Sequence, residues 1–189
     1  MRLHIAITGA SGTIYAQRLI ERTSGLERVS KIYITLTQTA TLVARHELSE
    51  QIIEQLAATP KAEILDNQNY FNGVASGSSA PEAMVIIPCS MGMLARVANG
   101  ISSDLISRSA DVMLKEERKL IVVPRETPLS LIHLENMVKL QKAGATILPA
   151  TPSFYAKGQT IIDMVDSVVD RIMDHLSLDD VKYRWMGSK

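Results

Sequence analysis

Short, nearly uninterrupted apolar runs alternate along this chain with longer stretches in which apolar residues recur every three or four positions. The first pattern suits strands buried on both faces, the second amphipathic helices. Leu3 to Ile7 predicts a first strand, broken by Thr8-Gly9-Ala10-Ser11-Gly12, and 13–23 predicts the helix that follows. Val29 to Leu36, alternating and β-branched, predicts a second strand. Thr37 is placed to cap a helix running to about Leu48, and Ser49 to cap a short one through Leu56. Asp66 to Pro81 is crowded with Asn, Gly and Ser and reads as a long loop, which in a compact domain usually serves function or motion.

Ala83 to Ile87 predicts a third strand, followed by helices over 91–98 and 103–117. Leu120 to Val123 predicts a fourth strand, Ser130 to Ala143 a helix closed by Gly144, and Thr146 to Leu148 a fifth strand. The clearest helix spans 160–176, with apolar positions at 161, 162, 164, 165, 168, 169, 172, 173 and 176. Alternating strands and helices predict a single α/β domain: an open, mostly parallel, Rossmann-like sheet with helices on both faces. We assign 1–178 to that domain and 179–189, with the chain's one tryptophan at Trp185, to a tail docked on the domain or on a neighbouring subunit.

Composition narrows the functional classes. The 189 residues include 20 Lys plus Arg and 20 Asp plus Glu, so no broad basic field is available to hold a nucleic acid. One cysteine, Cys89, excludes an internal disulfide and a cysteine zinc cluster, and the four histidines lack metal-ligand spacing, so no metal is expected. Apolar runs such as Met84 to Ile87 are too short to span a bilayer, and Leu3 to Ile7 is too short for a signal peptide, which makes the cytoplasm the default location.

Ligands of open α/β sheets sit beyond the carboxyl ends of the strands, so the residues that follow each strand are the candidates. These are Gly9, Ala10, Ser11 and Gly12; Thr37; Pro88, Cys89, Ser90 and Gly92; Pro124, Arg125 and Glu126; and Pro149, Pro152, Phe154 and Tyr155. Proline lacks the N–H that a ladder needs, so three strands are expected to stop there. The glycine loop opens a helix and could approach a phosphate, although it matches neither GxGxxG nor Walker A; the alternative is a tight turn with a serine cap. Arg125 offers a fork for phosphate and Glu126 a proton donor or acceptor. Arg108 and Lys115 share a helix face with Asp111 between them, which equally suits an Asp111–Lys115 surface pair or a cationic strip turned to an anion. Glu47 and Arg171 read by pattern alone as surface charges, Tyr155 as a core-edge aromatic, and Cys89 as structural.

Taken in order, Gly9-Ala10-Ser11-Gly12, Ser76-Gly77-Ser78-Ser79-Ala80-Pro81, Pro88-Cys89-Ser90, Arg108 with Ala110-Asp111-Val112, Leu114-Lys115-Glu116, Val123-Pro124-Arg125-Glu126-Thr127-Pro128-Leu129, His133-Leu134 and Pro152-Ser153-Phe154-Tyr155 strongly resemble the UbiX family of flavin prenyltransferases. The resemblance runs from about residue 3 to 185. It implies transfer of a dimethylallyl unit, carried as dimethylallyl phosphate, to reduced FMN at N5 and C6. The product, prenylated FMN, would be used by a UbiD-type decarboxylase, as in ubiquinone synthesis.

The same resemblance implies FMN contacts at Gly9, Ala10, Ser11, Thr37, Ser90, Met91, Gly92, Met93 and Arg125. It implies prenyl phosphate contacts at Tyr155 and Arg171, with Lys115 and Arg108 joining from packed neighbours of a homo-oligomer, typically a dodecamer. Glu126 would act as the acid/base, and Ser11 and Glu47 would assist near the flavin. Thr37 stands where many relatives have serine, and Met91 and Met93 replace smaller or polar residues. Two other readings compete: an FMN-dependent cysteine decarboxylase of the phosphopantothenoylcysteine type, for which His46 is present but no matching Asn motif, and a non-catalytic flavin carrier.

Overall fold

The computed structural model describes residues 1–154 and 158–178. Among them a parallel six-stranded sheet is formed by β1 (Arg2–Ile7), β2 (Lys31–Leu36), β3 (Ala62–Leu65), β4 (Ala83–Cys89), β5 (Lys119–Pro124) and β6 (Thr146–Ile147). Its order is β3-β2-β1-β4-β5-β6. The helices are α1 (Thr13–Ser24), α2 (Gln38–Glu47), α3 (Ile52–Ala57), α4 (Met91–Ala98), α5 (Leu105–Lys115), α6 (Leu131–Lys142) and α7 (Ile161–His175). The α/β architecture is therefore as the periodicity predicts, with every strand pair parallel.

Alternate strand residues feed two cores. Leu3, Ile5 and Ile7 pack with α1, α2, α3 and α7, whereas Ala6, Met84 and Ile86 pack with α4, α5 and α6. On that second face His4 is fully buried, its Nδ1 2.9 Å from the Ser109 hydroxyl and its Nε2 2.9 Å from the Thr35 hydroxyl. Burial lowers its pKa to about 3, so the ring is neutral and ties β1 to β2 and α5. The α7 pattern is cut short at one end: Val165, Val168, Val169, Ile172 and Met173 are buried, but Ile161 and Ile162 are exposed.

Several local expectations change. Strand β3 was not predicted. It is four residues long, carries a charge at Glu63, and pairs only with β2, so the two-sided apolar run that marks a central strand is missing. Ser49 caps nothing; its hydroxyl is buried without a partner and α3 begins three residues later after Gln51. Pro88 does not end β4, which continues to Cys89 after a register shift between Ile86 and Cys89. The loop from Asp66 holds only a single 3₁₀ turn, Gly73–Ala75. Guanidinium groups hold it down: Arg108 Nε donates to Ala75 O (3.2 Å), Arg118 to Gly77 O (3.1 Å) and Pro81 O (3.1 Å), and Arg2 to Ser79 O (3.1 Å) and Ala80 O (2.9 Å). These donors satisfy carbonyls that a crossover helix would have paired internally.

Candidate active site

Because all strands run the same way, the segments after β1, β2, β4 and β5 reach one edge of the sheet. The winding reverses between β1 and β4, and the glycine loop and the Pro88–Gly92 segment flank that reversal. Arg125 enters from the β5 side. A Cβ added at Gly12, whose φ is +108°, would stand 3.9 Å from Arg125 Cδ and 3.0 Å from the Tyr15 ring. Arg125 therefore lies over the glycine loop, and among the described residues its guanidinium has no hydrogen bond or ion pair. Tyr15, which the sequence reading missed, has its pKa raised by burial, with the Arg125 charge opposing.

The N-termini of α1, α2 and α4, which follow β1, β2 and β4, meet this edge, and they are not equivalent. The start of α1 is closed by neither a phosphate-ready loop nor a serine cap: its N-cap is Gly12, without a side-chain bond. Glu47, from the end of α2, supplies the anion. Its carboxylate accepts from Gly12 N (3.0 Å to each oxygen) and Thr13 N (2.9 Å). Desolvation raises the Glu47 pKa, but hydrogen bonds from the Ser11 side chain and the Thr13 and Gly12 amides outweigh it, and the net shift is downward. Thr37 caps α2 by accepting from Ala40 N (3.1 Å), and Ser90 caps α4 by accepting from Met93 N (3.4 Å). Beside these caps the first amides of α2 and α4, at Gln38, Thr39, Met91 and Gly92, remain for an anion or a carbonyl.

Gly9, Ala10 and Ser11 thus line the crevice beside Thr37, Ser90 and Arg125. Gly92 is exposed at the start of α4, whereas Met91 and Met93 turn their side chains into the second core. Glu126 follows Arg125 and is exposed, its Oε1 accepting from Thr127 N (3.0 Å). Cys89 is fully buried and its pKa is pushed up to about 12 by desolvation, which removes it as a nucleophile at neutral pH. His46 is exposed on α2 and joins no part of the crevice.

Lys115 and Arg171 lie apart from this edge within one chain. Helix α5 returns from the carboxyl edge, so Lys115 in its last turn reaches the opposite edge, about 16 Å along the helix. There Lys115 pairs with Glu116 (2.5 Å), and a Cβ at Gly77 would strike Glu116 Oε1, so the Ser-Gly-Ser-Ser loop packs tightly on this end of α5. Asp111 pairs with Arg108 (3.0 Å) instead of Lys115. Arg18–Asp166 and Arg22–Asp170 contacts set α7 parallel to α1, which puts Arg171 beside the last turn of α1, paired with Asp174 (2.8 Å). Tyr155 lies outside the described residues, as does the tail with Trp185.

Known proteins share this arrangement. The Flavoprotein family model matches residues 1–176. A flavin prenyltransferase UbiX from Halalkalibacterium halodurans is 44% identical, with 96% of this chain and 91% of the relative covered. The chain belongs to the UbiX family of flavin prenyltransferases. Two solved UbiX folds superpose on nearly the whole chain. AnUbiX, in complex with FMN and dimethylallyl pyrophosphate, is 36% identical with a TM-score of 0.93, covering 100% of this chain and 98% of its own. A dodecameric FMN-dependent Ubix-like decarboxylase from Escherichia coli is 34% identical with a TM-score of 0.91, covering 99% and 100%.

Proposed function

We propose that this chain is a flavin prenyltransferase that joins the dimethylallyl group of dimethylallyl phosphate to reduced FMN, with new bonds to N5 and C6. The carbon–oxygen bond to phosphate breaks as N5 is alkylated and loses its proton, the allylic double bond takes up a proton as its carbon joins C6, C6 gives up its own proton, and inorganic phosphate and prenylated FMN are released, the latter for a UbiD-type decarboxylase. The observation that carries this reading is the carboxyl edge of the sheet, where Arg125 lies over the glycine loop, Glu126 follows it in the chain, and the first amides of α2 and α4 are free. That edge combines a fixed cation, a carboxylate next to it, and neutral hydrogen-bond donors for a ribityl phosphate or ring carbonyl.

In this reading Gly9, Ala10, Ser11, Thr37, Ser90, Met91, Gly92, Met93 and Arg125 hold FMN, with the two methionines acting through their backbone. Reduced FMN supplies the electron-rich acceptor. Glu126 holds and moves the proton at its carboxyl group, and Ser11, hydrogen-bonded to Glu47, orients toward the flavin. Tyr155, Arg171, Lys115 and Arg108 bind the departing phosphate. Lys115 and Arg171 lie far from the crevice of their own chain, so packed subunits must supply them. The exposed apolar residues Leu131, Ile132, Leu134 and Val138 on α6, beside a groove of about 410 Å³, provide a surface for such packing, in a homo-oligomer we take to be a dodecamer. Among the described residues no helix is long and apolar enough to cross a membrane, and we place the enzyme in the cytoplasm.

The test is anaerobic incubation of the protein with reduced FMN and dimethylallyl phosphate, followed by mass analysis of the flavin. A flavin heavier by one five-carbon unit is expected. Unchanged FMN, after the diphosphate and a longer prenyl donor have also been tried, would overturn the reading.

A further inference from the structure

The β1–β4 ladder reaches Ala6↔Ile86 and stops short of Pro88, which has no N–H to extend it. One fully buried side chain bridges the gap. Thr8 Oγ1 donates to Pro88 O (2.8 Å) and accepts from Ser90 N (2.7 Å), while Thr8 N also donates to Pro88 O (3.2 Å). The Thr8 carbonyl accepts from Ala10 N (2.8 Å), closing the turn that leads to Ser11. A single residue thus shapes the glycine loop through its carbonyl and holds the start of α4 through its hydroxyl.

We propose that Thr8 is a positioning residue that locks the two FMN-holding segments, Gly9–Ser11 and Ser90–Gly92, into one preformed cradle. The inference rests on the reading that this crevice binds FMN. The hydroxyl links the Pro88 carbonyl to the Ser90 amide where the regular ladder has ended. Without it the Ser90 amide is left unpaired in a half-buried place, and the α4 N-terminus can shift relative to the glycine loop until the flavin pulls it back. The methyl group only fills space, so the effect should follow the hydroxyl.

The experiment compares Thr8→Ser, which keeps the hydroxyl, with Thr8→Val, which keeps the shape, and Thr8→Ala, which covers the case in which valine does not fold. FMN affinity and the visible flavin absorption band are measured with thermal midpoints. Thr8→Ser should bind FMN within about threefold of wild type, whereas the hydroxyl-free variants should bind roughly tenfold or more weakly, with an altered band. Serine and alanine variants that match each other in affinity and spectrum, differing from wild type only in thermal midpoint, would overturn the proposal. Wild-type protein that itself binds no FMN would instead overturn the FMN reading.

Discussion

Glu47 and His4 show how far a residue's surroundings can depart from its pattern. The Glu47 carboxylate sits on the α1 N-terminus and its pKa lies below the ordinary 4.5. Its stabilisation is therefore complete above that value and is lost as pH falls through the folded pKa. Glu47→Gln should cost about 1 kcal/mol or less at neutral pH, since the site is exposed, and the gap to wild type should close below pH 4.5 in urea midpoints. His4 behaves likewise for a different reason. Its folded pKa of about 3 lies below the ordinary 6.5, so the neutral ring's contribution is intact above 6.5 and is lost as pH falls toward 3. His4→Leu leaves two buried hydroxyls unpaired and should cost about 2 kcal/mol, with the difference from wild type shrinking across that window. Neither partnership can be read from sequence: His4 meets Ser109 and Thr35 only after three elements have packed.

At the scale of elements, the helix N-termini divide into closed and open ones, and that division makes the crevice. Helix α5 is fully closed. Asn67 takes Leu105 N through its carbonyl (2.8 Å) and Ile106 N through its side chain (3.1 Å), while Asp104 takes Ser107 N (2.8 Å) and pairs with Arg96 (2.8 Å). Asp104→Ala should destabilise by about 1–2 kcal/mol in chemical denaturation, without changing FMN affinity. Helices α2 and α4 keep amides for a ligand. Strands β1, β4 and β5 were legible because buried parallel strands are almost continuously apolar, and β2 because its β-branched residues alternate with others. Edge strand β3 was not, because one side lacks a neighbour and its sequence need not be apolar. The false Ser49 cap shows the limit of motif reading: a serine before an apolar run caps only if the backbone begins to coil there, and here it coils three residues later.

For the whole molecule, the decisive feature is that one chain holds its cations at two opposite edges. Arg125 lies over the glycine loop, whereas Lys115 sits at the far end of α5. If neighbours share these residues, an oligomer assembled from Lys115→Ala and Glu126→Gln subunits should contain some crevices with both groups intact. Mixing the two inactive variants under conditions of subunit exchange should restore a measurable fraction of prenylated FMN, read by mass analysis. No recovery, with exchange confirmed, would mean that each subunit uses its own lysine. Ile132→Glu on the exposed α6 face should reduce particle mass in light scattering and lower turnover in parallel.

The sequence alone was enough to determine the α/β class and the family resemblance, and it put the candidate site residues after the carboxyl ends of the strands. Strand periodicity and motif order are local properties, and a parallel sheet converts strand order along the chain into a shared edge. Only the tertiary structure decided the strand order, the closure of α1 by Glu47, the Thr8 bridge across the broken ladder and the separation of Arg125 from Lys115. Each of these depends on residues far apart in sequence meeting across strands, caps or helix ends, and no local period records such a contact.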